Sequence, residues 1–415
     1  MAAPEPVSPL SARVRGAASA PTATDPTKLI AEETARACVE RFGSALSAVV
    51  LTGSLARDEG TFAREDDAVI LLGDAEFVLV FHDGHALPGA DVVAGLLRTL
   101  ETRMQESGLR GTIGLSPCHT QYLADLGPQI FAYELGACGR VAWGDPDVLA
   151  FVPRFSAAEL DREDAWRLLN NRLVEQLGAL ADEGSPEKTA SASVRYRTAK
   201  LWLDMATSYL VFAGGYAPSY RARADVLSSL ARRPAGAEAP FDLDFFARRV
   251  RACTSFKLGT TPAGAADEMG SWREAAWEAR RLWRWELSRL TGASADLSDR
   301  TLRDLWMRRQ PLAARARGWA DAVRRHGWHR SWRHWPRWAR LARRGSPRHW
   351  IYGAATELLF ALASPAGGTT VLAGADLREL ARALPLGDAG ARDGWRAMAA
   401  HVYRAYQDLL VETRA

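Results

Sequence analysis

Long hydrophobic runs are missing from this chain of 415 residues. A membrane-spanning helix needs roughly 18 or more consecutive apolar residues. The best stretch near the end, Ile351–Ala363, is shorter than that and contains Glu357. The sequence therefore predicts no transmembrane span.

Cysteine is also scarce. The four cysteines, Cys38, Cys118, Cys138 and Cys253, lie far apart and form no CxxC pair. A disulfide framework or a structural zinc site needs closely patterned cysteines. We therefore expect reduced, buried thiols and a cytoplasmic protein.

Several motifs that mark common enzyme classes are absent from the sequence. There is no GxxxxGK[ST], no GxGxxG after a strand, no HExxH and no GxSxG. These absences disfavour Walker-type kinases, dinucleotide-dependent dehydrogenases, zinc proteases and α/β-hydrolases.

Periodicity predicts an α+β protein with a small mixed-sheet core followed by an all-helical domain. Residues 1–26 are rich in Ala, Pro, Ser and Thr and are expected to be a disordered leader. We predict an α/β core over residues 27–153 and helices over 154–415. Within the core, the pattern predicts helices at 28–42 and 91–107 and strands at 45–52, 76–81 and 110–115. Residues 55–70 read as irregular, and 129–135 with 140–143 read as a short hairpin around Gly136.

The most informative feature of the core is a pair of acids that follows a glycine turn. The first strand ends at Gly53-Ser54, and Asp74 and Glu76 open the next strand. Residues i and i+2 of a strand point to the same face, so both carboxylates project together. Adjacent carboxylate oxygens suit Mg²⁺, which usually binds together with phosphates. The alternative reading is an ordinary turn beside a solvated strand edge.

These elements, in this order, resemble the nucleotidyltransferase superfamily, which has the fold of DNA polymerase β. Residues Gly53–Gly60 look like the family's form Gly-Ser-x-Ala-Arg-Gly-Glu-Gly, and Asp74-Ala75-Glu76 looks like its metal-binding pair. Further similarity lies in Val141–Asp147, which resembles the segment closing the core of minimal and antibiotic-modifying members. The helical region with Gly214-Gly215-Tyr216, Ser219-Tyr220 and Arg223 is similar to the helical domain of some bacterial members.

The resemblance implies transfer of a nucleoside monophosphate from a nucleoside triphosphate to a hydroxyl or phosphate acceptor, with release of pyrophosphate. It implies that Asp74 and Glu76 bind Mg²⁺ and are the catalytic residues. Gly53 and Ser54 would hold the phosphates, because a residue without Cβ permits close approach and a hydroxyl can donate to phosphate oxygen. The acceptor is a small molecule, a sugar-phosphate or a protein side chain.

Two departures from the family pattern stand out. Nineteen residues separate Ser54 from Asp74, which indicates an insertion at 60–73. The strand predicted at 110–115 carries no third acid, and Asp125 and Glu134 are the nearest acids downstream. Asp66 and Asp67, in the insertion, are further candidates. A one-metal site, a base supplied by the substrate, or a protein without activity all remain open.

Cationic residues near these elements are candidates for phosphate contact. Arg57 follows the glycine turn, and Arg197 and Lys200 lie at i and i+3 on one predicted helix face. Exposed helix faces often carry such charges without any ligand. Tyr216, Tyr220, Arg221 and Arg223 either line an acceptor cleft or pack between helices.

A segment rich in arginine and tryptophan spans residues 300–350. It contains fifteen arginines and two aspartates, with no lysine or glutamate. Trp328, Trp332 and Trp335 fall at i, i+4 and i+7 and share a helical face. The segment is either a bundle helix with a basic rim, a surface that docks on anionic membranes, or a nucleic-acid-binding surface. A catalytically inactive protein that binds nucleotide or an inner membrane surface is therefore the alternative to the enzyme.

Overall fold

The computed structural model describes the residues 25–65, 68–183, 192–232, 238–260, 268–363, 372, 374–386 and 394–410. Almost all of the predicted leader at 1–26 lies outside these residues, as do Asp66 and Asp67. The described residues form an α+β structure with five strands and many helices. No helix among the described residues is long and apolar enough to cross a membrane.

The strands are β1 (Leu46–Thr52), β2 (Phe62–Glu65), β3 (Ala68–Phe81), β4 (Leu109–His119) and β5 (Arg140–Gly144). They form one sheet in the order β2-β3-β1-β5, and β4 pairs with the other edge of β3. β4 runs parallel to β3, whereas the remaining pairs are antiparallel. The sheet is therefore mixed, as the sequence predicts.

The helices of the sheet-containing region are α1 (Pro26–Phe42), α2 (Gly53–Ala56), α3 (Ala90–Glu106), α4 (Thr120–Ala124) and α5 (Ile130–Cys138). The remaining helices are α6 (Arg162–Glu183), α7 (Ala192–Phe212), α8 (Tyr220–Ala231), α9 (Leu243–Lys257), α10 (Trp272–Thr291), α11 (Asp299–Arg309), α12 (Leu312–His326), α13 (Trp328–Ser331), α14 (Trp335–Ala342), α15 (Pro347–Phe360), α16 (Gly374–Ala383) and α17 (Trp395–Leu410).

Contacts group the chain into two compact units. The first comprises 1–161, 213–229 and 251–267, and the second comprises 162–212, 230–250 and 268–415. Two later segments thus belong with the sheet, which a single boundary at residue 153 does not capture. The domain boundary at residue 153 stays a prediction, because a grouping by contacts does not show which segments fold independently.

In the first unit, apolar side chains cover both faces of the sheet. One core cluster joins α1 and α3 to Phe77, Leu79 and Phe81 of β3. A second cluster, on the opposite face, joins α4 and α5 to Val78 and Val80. The alternation along β3 follows from the two-residue period of a strand.

Two predictions of local structure are wrong. The segment 55–70 is not irregular throughout, because β2 and the start of β3 pair as antiparallel strands. The predicted insertion therefore contains strand pairing, and β3 begins before Asp74. The strand predicted at 129–135 is also wrong, since α5 occupies this segment. Apart from Glu134, its side chains are mostly apolar around the whole helix, so no helical period is visible in the sequence.

The second unit is helical. α6 packs against α7, α15 and α17, and α10 packs against α7 and α11. Two tryptophans of α10 donate to amide side chains of α6: Trp272 to Gln176 at 3.0 Å and Trp283 to Asn170 at 3.2 Å. These bonds satisfy the indole N–H groups within the packed helices.

The arginine- and tryptophan-rich segment forms α11 to α14 and the start of α15. Four of its tryptophans are buried, whereas Trp328, Trp332 and Trp335 are 62%, 62% and 44% exposed. Trp319 donates to the carbonyl of Gly345 at 2.9 Å, as expected for a core residue. The segment thus combines a packed helical core with an exposed aromatic face.

Candidate active site

Strand β3 places Asp74 and Glu76 on one face of the sheet. They alternate with Ala75 and Phe77, which are buried in the core on the opposite face. Asp74 is exposed and Glu76 is half-buried. Beyond them, Val78 and Val80 continue the same face into the second core cluster. The two carboxylates therefore lie where the apolar covering of this face ends.

Glu76 lies directly against the glycine turn. β1 and β3 pair so that Thr52 faces Glu76, and Gly53 begins α2 immediately afterwards. A Cβ added at Gly53 would lie 2.5 Å from Oε2 of Glu76. Gly53 also has a φ of +68°, a conformation that favours glycine. Both sterics and backbone conformation thus explain the absence of a side chain at this position.

Ser54 follows as the second residue of α2 and is half-buried. Its backbone carbonyl accepts from the N–H of Glu59 at 2.9 Å, which closes the turn after α2. Its hydroxyl forms no hydrogen bond with another described residue. Gly53, Ser54 and Glu76 therefore lie together at the end of β1.

The neighbouring strand β4 supplies no acid to this face. Its parallel register sets Thr112 beside Asp74, Gly114 beside Glu76 and Ser116 beside Val78. A Cβ added at Gly114 would meet no atom of a described residue within 4 Å, which leaves room beside Glu76 on this side. Among the described residues, no group of three or more His, Cys, Asp or Glu side chains could hold a metal ion. Within the described part of the chain, the site therefore offers two carboxylates rather than three.

Arg57 occupies a buried ion-pair network. Its side chain is 5% exposed; it bonds Glu59 at 3.1 Å and also contacts the carboxylate of Glu134. Burial alone would lower the pKa of Arg57, but the negative charge of Glu134 and its neighbours raises it above the usual value. The ion-pair partners of Arg57 in the structure are thus carboxylates, and its contact with a phosphate stays a prediction.

Glu134 lies at the centre of this network. The hydroxyl of Tyr216 and the guanidinium of Arg223 both donate to its carboxylate. Arg223 also donates to the Tyr216 hydroxyl at 2.6 Å and lies over the Tyr220 ring at 4.9 Å. Burial raises the pKa of Tyr216 well above its usual value, so the phenol stays protonated. These residues pack as a satisfied polar cluster, one of the two alternatives that the sequence leaves open.

Glu59 and Lys257 extend the polar network to α8 and α9. The carboxylate of Glu59 accepts from the backbone N–H groups of Tyr220 and Arg221 at 3.1 and 3.2 Å, which caps the start of α8. Lys257 is buried and donates to the hydroxyl of Thr61 at 2.6 Å. Sequence reasoning missed Glu59 and Lys257. Glu59 could have been identified from the sequence, because it matches the glutamate in the form Gly-Ser-x-Ala-Arg-Gly-Glu-Gly.

The remaining candidates lie at the end of α4 and on α7. Asp125 accepts from Gln121 on α4 at 2.8 Å. Lys200 and Arg197 are half-buried residues of α7, which belongs to the second unit. Gly144 has a φ of +94°, and an added Cβ there would overlap the Ser47 carbonyl, so this glycine allows close pairing of β5 with β1.

Comparisons with known proteins add little. No family model matches the chain, and no curated protein matches it. Among solved structures, the chain is similar to spectinomycin adenyltransferase AAD(9) from Enterococcus faecialis, crystallised with ATP and spectinomycin. The identity is 12%, and the match covers 61% of this chain and 98% of that one with a TM-score of 0.34. A likeness at this level does not establish a common fold or activity.

Proposed function

We propose that this protein is a Mg²⁺-dependent nucleotidyltransferase. The observation that carries the proposal is the position of the Glu76 carboxylate against Gly53, with Asp74 on the same face of β3. Two carboxylates at a partly solvated edge fit the oxygen ligands that Mg²⁺ prefers. When bound there, Mg²⁺ would neutralise charge on the phosphates and on the departing pyrophosphate.

The residues of the chain would chiefly bind and orient the nucleotide. Gly53 leaves room for a phosphate close to the backbone, and the Ser54 hydroxyl can donate to a phosphate oxygen. An acceptor hydroxyl oxygen would attack the α-phosphorus while the bond to pyrophosphate breaks. The described residues place no third carboxylate beside the pair, so the acceptor's proton would leave to solvent or to the substrate itself. Rate enhancement would come from positioning and electrostatics.

Pyrophosphate release tests this proposal. The protein is supplied with Mg²⁺, each of the four ribonucleoside triphosphates in turn, and a low-molecular-weight extract as the acceptor source. We expect release with at least one nucleotide and its loss in Asp74→Ala, while the circular dichroism spectrum stays unchanged. Asp83→Ala is the control, because Asp83 is an exposed aspartate just beyond the other end of β3. Equal release by Asp74→Ala would overturn the proposal.

A second candidate function is nucleotide binding without transfer. The observation that favours it is the absence of an acid on the face of β4 beside Glu76. In that case Mg²⁺ and nucleotide would bind to wild type and fail to bind to Asp74→Ala, with no pyrophosphate released. Calorimetric titration beside the release assay separates the two functions.

Docking on an anionic membrane is a further proposal for the second unit. It rests on the exposed face of Trp328, Trp332 and Trp335, and Trp328 and Trp335 contact each other with ring centroids 4.9 Å apart. Tryptophan favours the membrane interface, and arginine is attracted to anionic headgroups. Co-sedimentation with vesicles containing phosphatidylglycerol should fall when Trp328 and Trp332 are replaced by serine. Unchanged sedimentation would contradict docking through this face.

A further inference from the structure

A cavity of about 410 Å³ opens among helices of the second unit, lined mainly by arginine. We call it the arginine cavity. Its walls come from α11, α14, α15 and α16. Its charged lining consists of Arg300, Arg303, Arg337, Arg340, Arg344, Arg382, Glu357 and Glu379. None of these residues belongs to the proposed nucleotide site on β3.

Carboxylates neutralise only part of this charge. Arg300 pairs with Glu379, and Arg303 pairs with Glu357 at 3.2 Å. Arg344 reaches Asp304, just outside the lining, at 3.3 Å. These pairs use every carboxylate that the cavity presents.

Three further arginines line the cavity: Arg337, Arg340 and Arg382. Arg337 donates to the backbone carbonyls of Ala381 and Leu384, at 3.3 and 3.2 Å, near the C-terminal end of α16. These carbonyl groups orient its guanidinium. Arg340 and Arg382 are exposed and form no ion pair with a described residue. The cavity therefore carries an excess of positive charge inside a concave surface.

Such an arrangement suits a compact, multiply charged anion. Guanidinium groups bind phosphate oxygens in a bidentate fashion, and a cleft of one charge sign concentrates counter-ions. The volume lies within the usual range of small-molecule sites, roughly 300–1,000 Å³. Leu341, Leu380 and the Trp350 ring add an apolar wall that an organic group can contact.

We propose that the arginine cavity binds a small soluble molecule carrying two or more phosphate groups. Arg340 and Arg382 supply charge that no ion pair with a described residue takes up, and Arg337 is held in place by backbone carbonyls. The site acts independently of nucleotide transfer and needs no metal ion.

Inorganic tripolyphosphate is a suitable probe, titrated calorimetrically into the full-length protein in EDTA at physiological ionic strength. EDTA removes the divalent cation that the proposed nucleotide site requires. We expect saturable binding with one molecule per chain, weakened at least tenfold in the double variant Arg340→Gln/Arg382→Gln. Arg317→Gln is the control, because Arg317 is an exposed arginine of α12 outside the cavity.

Three results would overturn the proposal. The first is an absence of saturable binding to wild type. The second is equal affinity in the double variant, or an equal loss in the Arg317 control. The third is binding to phosphatidylglycerol vesicles that depends on Arg340 and Arg382, while tripolyphosphate does not bind. Because both replaced residues are exposed and form no ion pair within the described ranges, we expect the variants to unfold at the same temperature as wild type.

Discussion

Replacement of Gly53 by alanine tests the contact between the glycine turn and the Glu76 carboxylate. Alanine adds a Cβ that would lie 2.5 Å from Oε2 of Glu76 and 3.4 Å from its Cδ. The backbone at Gly53 also has a φ of +68°, which alanine tolerates poorly. Glu76 has a flexible side chain, so we expect its carboxylate to move away while the fold persists.

The magnitude follows from two separate costs. A left-handed conformation costs a non-glycine residue about 1–2 kcal/mol, and an off-rotamer Glu76 adds about 0.5–1.5 kcal/mol. We therefore expect Gly53→Ala to lower the free energy of unfolding by about 1.5–3.5 kcal/mol, measured by urea denaturation. Affinity for Mg²⁺-nucleotide should fall at least tenfold, which corresponds to about 1.4 kcal/mol.

Gly259→Ala is the matched control for the backbone cost. Gly259 has a φ of +66°, and an added Cβ would meet no atom within 4 Å. This variant should lose about 1–2 kcal/mol of stability and keep its nucleotide affinity. If Gly53→Ala binds Mg²⁺-nucleotide as tightly as Gly259→Ala, the role given to the glycine turn is refuted.

Three further changes have defined outcomes. Gly114→Asp adds a carboxylate in open space beside the Glu76 site and should increase affinity for Mg²⁺ in the presence of nucleotide by calorimetry; unchanged affinity would contradict a metal site there. Glu134→Gln leaves the buried guanidinium of Arg223 without its carboxylate and should lower the unfolding free energy by about 3–5 kcal/mol in urea, whereas a loss below about 1 kcal/mol would contradict the network. Burial raises the pKa of Glu286 to about 8 despite a hydrogen bond from Ser208 at 2.6 Å. The folded state thus keeps a proton on Glu286 that the unfolded state releases. As the pH rises from about 4.5 to 8, the free energy of unfolding should therefore fall by up to about 1.4 kcal/mol per pH unit. Glu286→Gln should remove this slope in urea titrations, and an unchanged slope would contradict the assignment.

Local periodicity predicts much of the fold. The predicted helices at 28–42 and 91–107 correspond to α1 and α3 within two residues at each end, and the strand at 45–52 corresponds to β1. The two helices show a clear period because each buries one face, whereas β1 is a short apolar run that is buried on both faces. The glycine turn at the end of β1 follows from local signals, whereas Glu76 lies within β3 and its position opposite Thr52 depends on the pairing of β1 with β3.

The rest depends on information that no local window contains. β2 pairs with the start of β3. Two charged residues separate these strands in the sequence and interrupt the alternating pattern that predicts a strand. The network joins Glu134 to Arg57, Tyr216 and Arg223, which lie 77, 82 and 89 residues away along the chain. The sequence identifies Glu134 only as one of the nearest acids downstream of the predicted strand, because its partners become visible only when the chain is folded.

Binding of Mn²⁺ tests the central claim most directly, because Mn²⁺ accepts the same oxygen ligands as Mg²⁺ and is visible by electron paramagnetic resonance. The titration is performed with nucleoside triphosphate on wild type, Asp74→Asn, Glu76→Gln and the control Asp83→Asn. We expect one nucleotide-dependent Mn²⁺ per chain in wild type and in the control, and its loss in both site variants. Retention of that Mn²⁺ in Asp74→Asn and Glu76→Gln would contradict the assignment of the two carboxylates as metal ligands.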